Sequence, residues 1–247
     1  MISIGRGIRV QNKYKDEVDF CVKHGFQFMQ VWFRNGEILI DADEPKEVYI
    51  KNIGFPVILH AVFDPIDFEL YGDRLLEITE YLGNSDVIIH PVCKKTLVDE
   101  NTEHQLAKQA KLFSQKAKAK GITWYLENNS VIDEFHYSKQ DLHVVYDSDD
   151  YVEQLLDVAH IDNYEHLAEI VSVRFPKCLH VAGKHFDVPH EHLPLTQGDI
   201  DYTLIFQKYL NGYDGRIILE VNSSDEDILA SKKIIEDTVS YALKKDI

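Results

Sequence analysis

The sequence is poor in cysteine and in long apolar runs, the features that mark disulfide-rich and membrane proteins. Its 247 residues include three cysteines, too few and too widely spaced for a disulfide framework or a zinc ribbon: Cys21, Cys93 and Cys178. No apolar run approaches the roughly 20 residues of a membrane-spanning helix. The first residues read as a strand and lack the charged-then-apolar layout of a signal peptide. We therefore expect a soluble, cytoplasmic protein that does not contact a membrane.

Basic residues are also scarce. Lysine and arginine number 26 against 42 aspartates and glutamates, which gives a formal net charge of −16. A protein that binds nucleic acid over a broad surface needs clustered lysine and arginine. The charge therefore weighs against a large nucleic-acid footprint. The net charge does not exclude one local groove that binds nucleic acid. Bound metal ions would also neutralise the carboxylates that hold them and so reduce the acidic charge.

A glycine-rich phosphate loop is missing as well. The first apolar run ends in Gly5-Arg6-Gly7, without the third glycine and the following helix of a dinucleotide-binding motif. What the chain does have is a hydrophobic content of 45%, which is ample for a folded core. Short apolar runs alternate with longer amphipathic segments along the whole chain, as strands and helices do in an α/β protein.

This alternation predicts eight strands and about as many helices. Helices are expected over residues 14–24, 44–52, 67–82, 101–120, 164–173, 199–210 (with Asp199 as its N-cap) and 225–245, with a helix or a turn over 138–149. After an N-terminal strand, further strands are expected at 26–33, ending at 60, ending at 90, at 122–127, ending near 157, ending near 180 and at 216–221. The fold class is therefore α/β, and a (β/α)8 TIM barrel forming one domain over residues 1–247 is the first choice. An open doubly wound sheet is the alternative, disfavoured by the missing phosphate loop.

Six of the predicted strands end in a residue that can bind a metal. A histidine or carboxylate at the end of a buried strand costs desolvation energy unless something pairs with it. In a barrel, the carboxyl ends of the strands meet at one face, so a shared metal site explains all six at once. The six residues are His60, His90, Glu127, Asp157, His180 and Glu220.

Histidine and carboxylate ligands without cysteine suit Zn²⁺, Mn²⁺, Fe²⁺ or Co²⁺. Because carboxylates can bridge two ions, one to three ions are possible. Further nitrogen donors follow two of the strands. His160 comes three residues after Asp157, and His185, His190 and His192 lie in the loop after the seventh strand, where we expect at least one ligand.

The order of these residues resembles the xylose isomerase-like barrel superfamily, which includes sugar isomerases, ketose epimerases and the abasic-site nuclease endonuclease IV. The resemblance covers nearly the whole chain. It rests on an acid, an Asp-x-x-His pair, a histidine and an acid at successive strand ends, and on the loop residues 192–202. The residues that carry it at the strand ends are Glu127, Asp157, His160, His180 and Glu220.

The isomerase and epimerase branch implies one divalent ion held by Glu127, Asp157, His180 and Glu220. The ion would chelate a substrate carbonyl and its neighbouring hydroxyl, and Glu127 and Glu220 would remove and return a proton through an enediolate. This branch predicts a sugar, sugar phosphate or polyol as the substrate and leaves a homo-oligomer possible. One departure is that Phe186 and Asp187 stand where epimerases typically carry an arginine. Candidate substrate contacts are His160, Lys184 and Trp32.

The endonuclease IV branch implies three zinc ions and cleavage of DNA at abasic sites. His60 and His90 match its additional ligands, as does His192, whereas His190 stands where that branch has aspartate. A nuclease also needs phosphate clamps and a wedge residue. The candidate clamps and wedges are Arg6, Arg34, Lys94, Lys95 and Lys184, and Trp32 and Tyr71.

We favour the metal-dependent isomerase or epimerase, because the chain is acidic and offers few basic residues near the strand ends. The zinc phosphodiesterase is the alternative. A third hypothesis is a barrel that binds metal without turnover. The presence of both Glu127 and Glu220 argues against it.

Overall fold

The computed structural model describes residues 2–95, 97–133, 135, 137–148 and 150–244, and side chains as far as residue 240. Strands and helices alternate along the chain, as the hydrophobic pattern predicts. The strands are β1 (Ser3–Gly7), β2 (Met29–Arg34), β3 (Glu37–Ile38), β4 (Val57–Phe63), β5 (Asp86–Pro91), β6 (Thr123–Glu127), β7 (Val152–Asp157), β8 (Cys178–Val181) and β9 (Arg216–Leu219). The helices are α1 (Tyr14–Lys23), α2 (Lys46–Ile53), α3 (Pro65–Leu82), α4 (Glu100–Ala119), α5 (Lys139–Tyr146), α6 (Tyr164–Val173), α7 (Tyr202–Leu204) and α8 (Asp225–Lys244).

All strands except β3 form a closed parallel barrel. They pair in the order β1-β9-β8-β7-β6-β5-β4-β2, and a parallel pairing of β1 with β2 closes the ring. The predicted (β/α)8 barrel is therefore confirmed, and the open sheet is excluded. β3 is an unpredicted addition that pairs antiparallel with the end of β2. The hairpin turns at Asn35 and Gly36, whose φ angles of 50° and 83° are the positive values that an Asn-Gly turn supplies.

The inside of the barrel is built in layers. A cluster of buried apolar side chains fills its lower part: Phe28, Ile58, Ile88, Tyr125, Leu155, Cys178 and Ile218. Because side chains alternate between the two faces of a strand, the residue two positions further along points the same way, one layer higher. Those residues are Gln30, His60, His90, Glu127, Asp157, His180 and Glu220. One polar layer therefore covers one apolar floor.

The structure corrects three details of the sequence prediction. His60 does not end its strand, because β4 pairs with its neighbours as far as Phe63. The helix expected at 199–210 begins later: Asp201 accepts a hydrogen bond from the Leu204 amide and caps α7, which continues as a π-helical turn over Ile205–Tyr209. The carboxylate of Asp199 accepts from the amide of Phe186 instead. The predicted helix ends at residues 149 and 245 lie outside the described residues.

None of the helices in the described ranges combines the length and apolar character that a membrane span requires.

A buried ion pair joins β1 to α1. Arg6 Nη2 lies 2.8 Å from Glu17 Oε2, and both side chains are only 1% exposed. Arg9 adds a second ion pair to Glu17 at 2.7 Å, and the Asn12 amide donates to the same carboxylate. Burial alone would raise the pKa of Glu17, but the bonds from Arg9 and Asn12 and the charge of Arg6 lower it. Arg6 is thus used inside the fold and does not project from the barrel mouth.

Replacing this carboxylate should destabilise the fold. Glu17→Gln leaves Arg6 buried without a charge partner, so we expect the free energy of unfolding near pH 7 to fall by about 3–5 kcal/mol. Because the folded pKa of Glu17 lies below its ordinary value of 4.5, its contribution is full above that value and is lost as the pH falls through the folded pKa. Urea unfolding should therefore separate the two proteins near neutral pH and bring them together in strong acid.

Glu47→Gln is the matched control, because Glu47 pairs with Arg74 at the surface, where ion pairs contribute about 0–1 kcal/mol. Equal losses in Glu17→Gln and Glu47→Gln would contradict a special role for the buried pair.

Candidate metal centre

Three carboxylates and one imidazole converge at the mouth of the barrel. Glu127, Asp157, His180 and Glu220 each offer one ligand atom, and these four atoms lie within 4.8 Å of one another. His180 is central: its Nδ1 lies 3.2 Å from Glu127 Oε1 and 3.5 Å from both Asp157 Oδ2 and Glu220 Oε1. All four side chains are at least nine-tenths buried. The arrangement offers four donors to one divalent cation.

The ends of β6 and β7 are tied together next to these residues. The side chain of Asn128 accepts from the Asp157 amide at 2.7 Å and donates to the Asp157 carbonyl at 3.2 Å. The Ala159 amide donates to Asp157 Oδ1 at 2.7 Å, and the Asn128 carbonyl lies 2.8 Å from His160 Nδ1. One oxygen of Asp157 is thereby held by the backbone, and the other faces the ligand cluster.

Two more histidines converge on Glu127. His60 Nε2 and His90 Nδ1 lie 2.8 Å and 3.3 Å from the same oxygen, Oε2. Within the described part of the chain, both ring nitrogens of His60 and this Oε2 have no aligned hydrogen-bond partner. Buried polar atoms are normally satisfied. A cation needs nitrogen and oxygen lone pairs that are not used in hydrogen bonds with each other. These atoms meet that requirement, so the residues fit a metal ion.

A third group consists of histidines only. His160, His190 and His192 offer ligand atoms within 4.8 Å of one another. His192 Nε2 also lies 3.4 Å from Asp157 Oδ2 and 3.6 Å from Glu220 Oε2, which joins this group to the first. His185, from the same loop, is exposed and pairs with Glu191 at 3.0 Å. The structure therefore brings two of the three loop histidines to the mouth and leaves His185 outside.

The electrostatics favour ionised carboxylates. Burial opposes ionisation of Glu127, but the charges of His90, His180 and His60 hold its pKa well below the ordinary value. In the same way His180 and the neighbouring histidines lower the pKa of Glu220 to about 2 against burial. Conversely, burial lowers the pKa of His90, yet Glu127 and Asp133 raise it to about 10. Ionised carboxylates are the form that binds metal, and the imidazole protons are those that metal binding releases.

Of the three predicted substrate contacts, two face the open space above this cluster. His160 and Trp32 line a cavity of about 320 Å³. The ring of Trp32 stacks on His60 with centroids 4.4 Å apart, and the Arg34 guanidinium lies 5.3 Å over Trp32. Lys184 is 1% exposed and donates to the Ile161 carbonyl at 2.6 Å, away from the cavity wall. It braces the turn that carries His160.

One residue at the site escapes the strand-end argument. Gln30 is fully buried on β2, with its Oε1 2.7 Å from His180 Nε2 and its amide nitrogen donating to Glu220 Oε1. It is neutral and lies two residues before Trp32, within the strand, so it lacks the pattern of an ionisable residue at a strand end. The sequence does contain one signal for Gln30, which is the alternation of side chains along a strand. Gln30 lies two residues after Phe28 of the buried apolar layer, just as Glu220 lies two residues after Ile218.

Comparison with known proteins agrees with the fold. A family model described as the xylose isomerase-like TIM barrel matches residues 18–244. The chain belongs to this family. No curated protein matches the chain significantly.

Several solved structures are similar to this chain over nearly their full lengths. A D-tagatose 3-epimerase-like protein has a TM-score of 0.81 at 16% identity, covering 99% of this chain and 100% of its own. L-Ribulose 3-epimerase has a TM-score of 0.77 at 15% identity, covering 100% and 97%. The IolI protein, whose structure contains a zinc atom, has a TM-score of 0.69 at 17% identity, covering 97% and 99%. At such identities the likeness establishes the shared fold.

If the cluster holds a divalent ion, the metal should stabilise the protein measurably. Thermal unfolding should occur at a higher temperature with Zn²⁺ or Mn²⁺ than with chelator. When the free ion is at 100 times its Kd, the free energy of unfolding should rise by about 2.7 kcal/mol. Asp157→Asn should abolish most of this difference, because it removes one anionic ligand from the four-residue group.

Asp201→Asn is the matched control, since asparagine caps a helix about as well as aspartate and Asp201 lies outside the cluster. Identical melting curves of the wild-type protein with metal and with chelator would argue against the site.

Proposed function

We propose that this protein is a divalent-metal-dependent isomerase or epimerase of a small sugar, sugar phosphate or polyol. The four-donor group of Glu127, Asp157, His180 and Glu220 carries the proposal, because it combines metal ligands with carboxylates that reach a cavity. The epimerases among the similar structures and the zinc atom of the IolI protein support it. When bound, a divalent ion would polarise a substrate carbonyl and acidify the neighbouring carbon.

The distribution of the carboxylates suggests which of them handle protons. Glu127 and Glu220 line the 320 Å³ cavity, whereas Asp157 is 0% exposed and is not part of its wall. Glu127 comes from β6 and Glu220 from beyond β9, so they approach the cavity from different sides of the ring. We assign them the removal and return of a proton, and we assign Asp157 and His180 to metal binding alone. Their low pKa values keep both glutamates ionised, which is the form that accepts a proton.

The wall of the cavity also indicates a charge preference. Arg34 and Lys94 line it, and among the described residues neither side chain has an ion pair with a carboxylate. The neighbouring Lys95, by contrast, pairs with Asp67. Arg34 is further braced by the stack through Trp32 to His60. We therefore favour a phosphorylated or otherwise anionic sugar, whose anionic end would lie between Arg34 and Lys94.

A multinuclear phosphodiesterase is the second candidate. It is favoured by the surroundings of Glu127, because His60 and His90 converge on Oε2 while Oε1 faces His180, as in a carboxylate shared between two ions. Other observations oppose cleavage of DNA. Both candidate wedges have packing partners in the protein: Tyr71 lies against Gly36, and Trp32, although it lines the cavity, stacks on His60. Of the five candidate phosphate clamps only Arg34 and Lys94 reach the cavity.

Removing one proton-transfer carboxylate should stop the reaction. We expect Glu220→Gln to slow exchange of the carbon-bound proton of a ketose or ketose phosphate with solvent deuterium by about 10²- to 10⁴-fold. Mass spectrometry or NMR of the recovered sugar measures the exchange. Excess metal should not restore it, because the missing group is the base.

Asp157→Asn separates the two roles of these carboxylates. This variant should need more metal but regain exchange when the metal is saturating, since Asp157 acts only as a ligand. Retained exchange in Glu220→Gln would remove Glu220 from its role. Chelator-sensitive incision of an abasic-site duplex, with three ions per chain by metal analysis, would instead establish the phosphodiesterase.

The charge preference is tested by the two cavity cations. Arg34→Gln and Lys94→Gln should each raise KM for a ketose phosphate by about 10-fold, with little change for the unphosphorylated ketose, because a charge-assisted bond contributes about 1.5–3 kcal/mol. Lys95→Gln is the matched control, since this neighbour pairs with Asp67 and does not line the cavity. Equal effects on both sugars, or none, would contradict an anionic substrate.

A further inference from the structure

Gln30 links two members of the candidate metal centre. Its Oε1 lies 2.7 Å from His180 Nε2, and its Nε2 donates to Glu220 Oε1. The side chain reaches Glu220 across β1, which lies between β2 and β9 in the barrel. β1 contributes Gly7 at this level, and a Cβ added there would lie 4.0 Å from the Gln30 amide nitrogen. A longer side chain at position 7 would enter the path of the amide.

The chemistry of the three groups allows one orientation of the amide. The ionised Glu220 carboxylate only accepts hydrogen bonds, so it must face the NH₂ group of Gln30. The carbonyl oxygen of Gln30 is then left for His180, and it too only accepts. His180 Nε2 must therefore carry a proton. The nitrogen left to bind a cation is Nδ1, which faces Glu127, Asp157 and Glu220.

We propose that Gln30 is a positioning residue that selects Nδ1 of His180 as the metal-binding nitrogen and holds Glu220 in the orientation that shares the same ion. The inference rests on the proposed metal site. Ligating histidines generally donate their second N–H to an oxygen, and loss of that acceptor weakens metal binding about 10- to 100-fold. A single amide that serves two ligands should couple them, so that displacing either one disturbs the other.

The test is Gln30→Met, which keeps the length of the side chain and removes both hydrogen bonds. Affinity for Zn²⁺, measured by competition with a chromophoric chelator, should fall about 10- to 100-fold. In ¹⁵N-edited NMR spectra of the zinc-bound proteins, the Nε2 proton of His180 should be protected from exchange in the wild type and exchange rapidly in Gln30→Met.

Gln154→Met is the matched control. Gln154 is also fully buried in a barrel strand, and its side-chain atoms have no hydrogen-bond partner among the described residues. It should retain wild-type zinc affinity and a protected His180 proton, and circular dichroism should verify that both variants are folded.

The outcomes separate this inference from the proposed function. A wild-type protein that binds no divalent ion overturns both. A wild type that binds zinc and exchanges substrate protons, beside a Gln30→Met variant with unchanged affinity and an equally protected His180 proton, overturns only the role of Gln30. Equal losses in Gln30→Met and Gln154→Met would reduce Gln30 to a packing residue.

Discussion

The burial of three carboxylates within a few ångströms of one another is the constraint on which the rest of the site depends. Each charge loses hydration at the barrel mouth, and each repels the other two. Five histidines pair with these carboxylates: His60, His90, His160, His180 and His192. Of these, His180 contacts all three acids at once. Because so many donors meet without hydrogen-bond alignment, the cluster is better suited to cations than to a network of hydrogen bonds. The fold therefore concentrates many of its buried polar side chains in this one cluster of charges.

The closed barrel makes this concentration possible, and the sequence predicts it through periodicity. An apolar run that ends in a histidine or acid specifies both a buried strand and a polar residue at its exit, and closure brings the exits together. This pattern correctly places Glu127 and Asp157, which are the last residues of β6 and β7. It misplaces His60, which lies within β4, because strand length depends on pairing with neighbours that one segment cannot reveal. It misses Gln30, because a neutral amide looks like any other polar residue until its partners are known.

Other failures have different physical causes. The β2–β3 hairpin has a local signal in Asn35-Gly36, but its second strand is only two residues long and carries no hydrophobic pattern of its own. The cap of α7 is Asp201 rather than Asp199, because two nearby aspartates offer equally good capping oxygens and a tertiary bond to Phe186 engages the first. Lys184 has the right chemistry for a substrate contact, but its direction is decided by the Ile161 carbonyl. The sequence shows which residue is present, but tertiary contacts decide in which direction a long side chain points.

The positions of the basic residues favour a small substrate over a nucleic acid. From sequence, five cations could surround the mouth, but three have partners away from the cavity: Arg6 pairs with Glu17, Lys95 with Asp67, and Lys184 with a backbone carbonyl. Two remain on the cavity wall, Arg34 and Lys94. A DNA-binding enzyme neutralises several phosphates along a groove, and a chain of net charge −16 would repel the rest of the polymer. Two cations beside a cavity of about 320 Å³ would suit the single anionic group of the small sugar that we propose as the substrate.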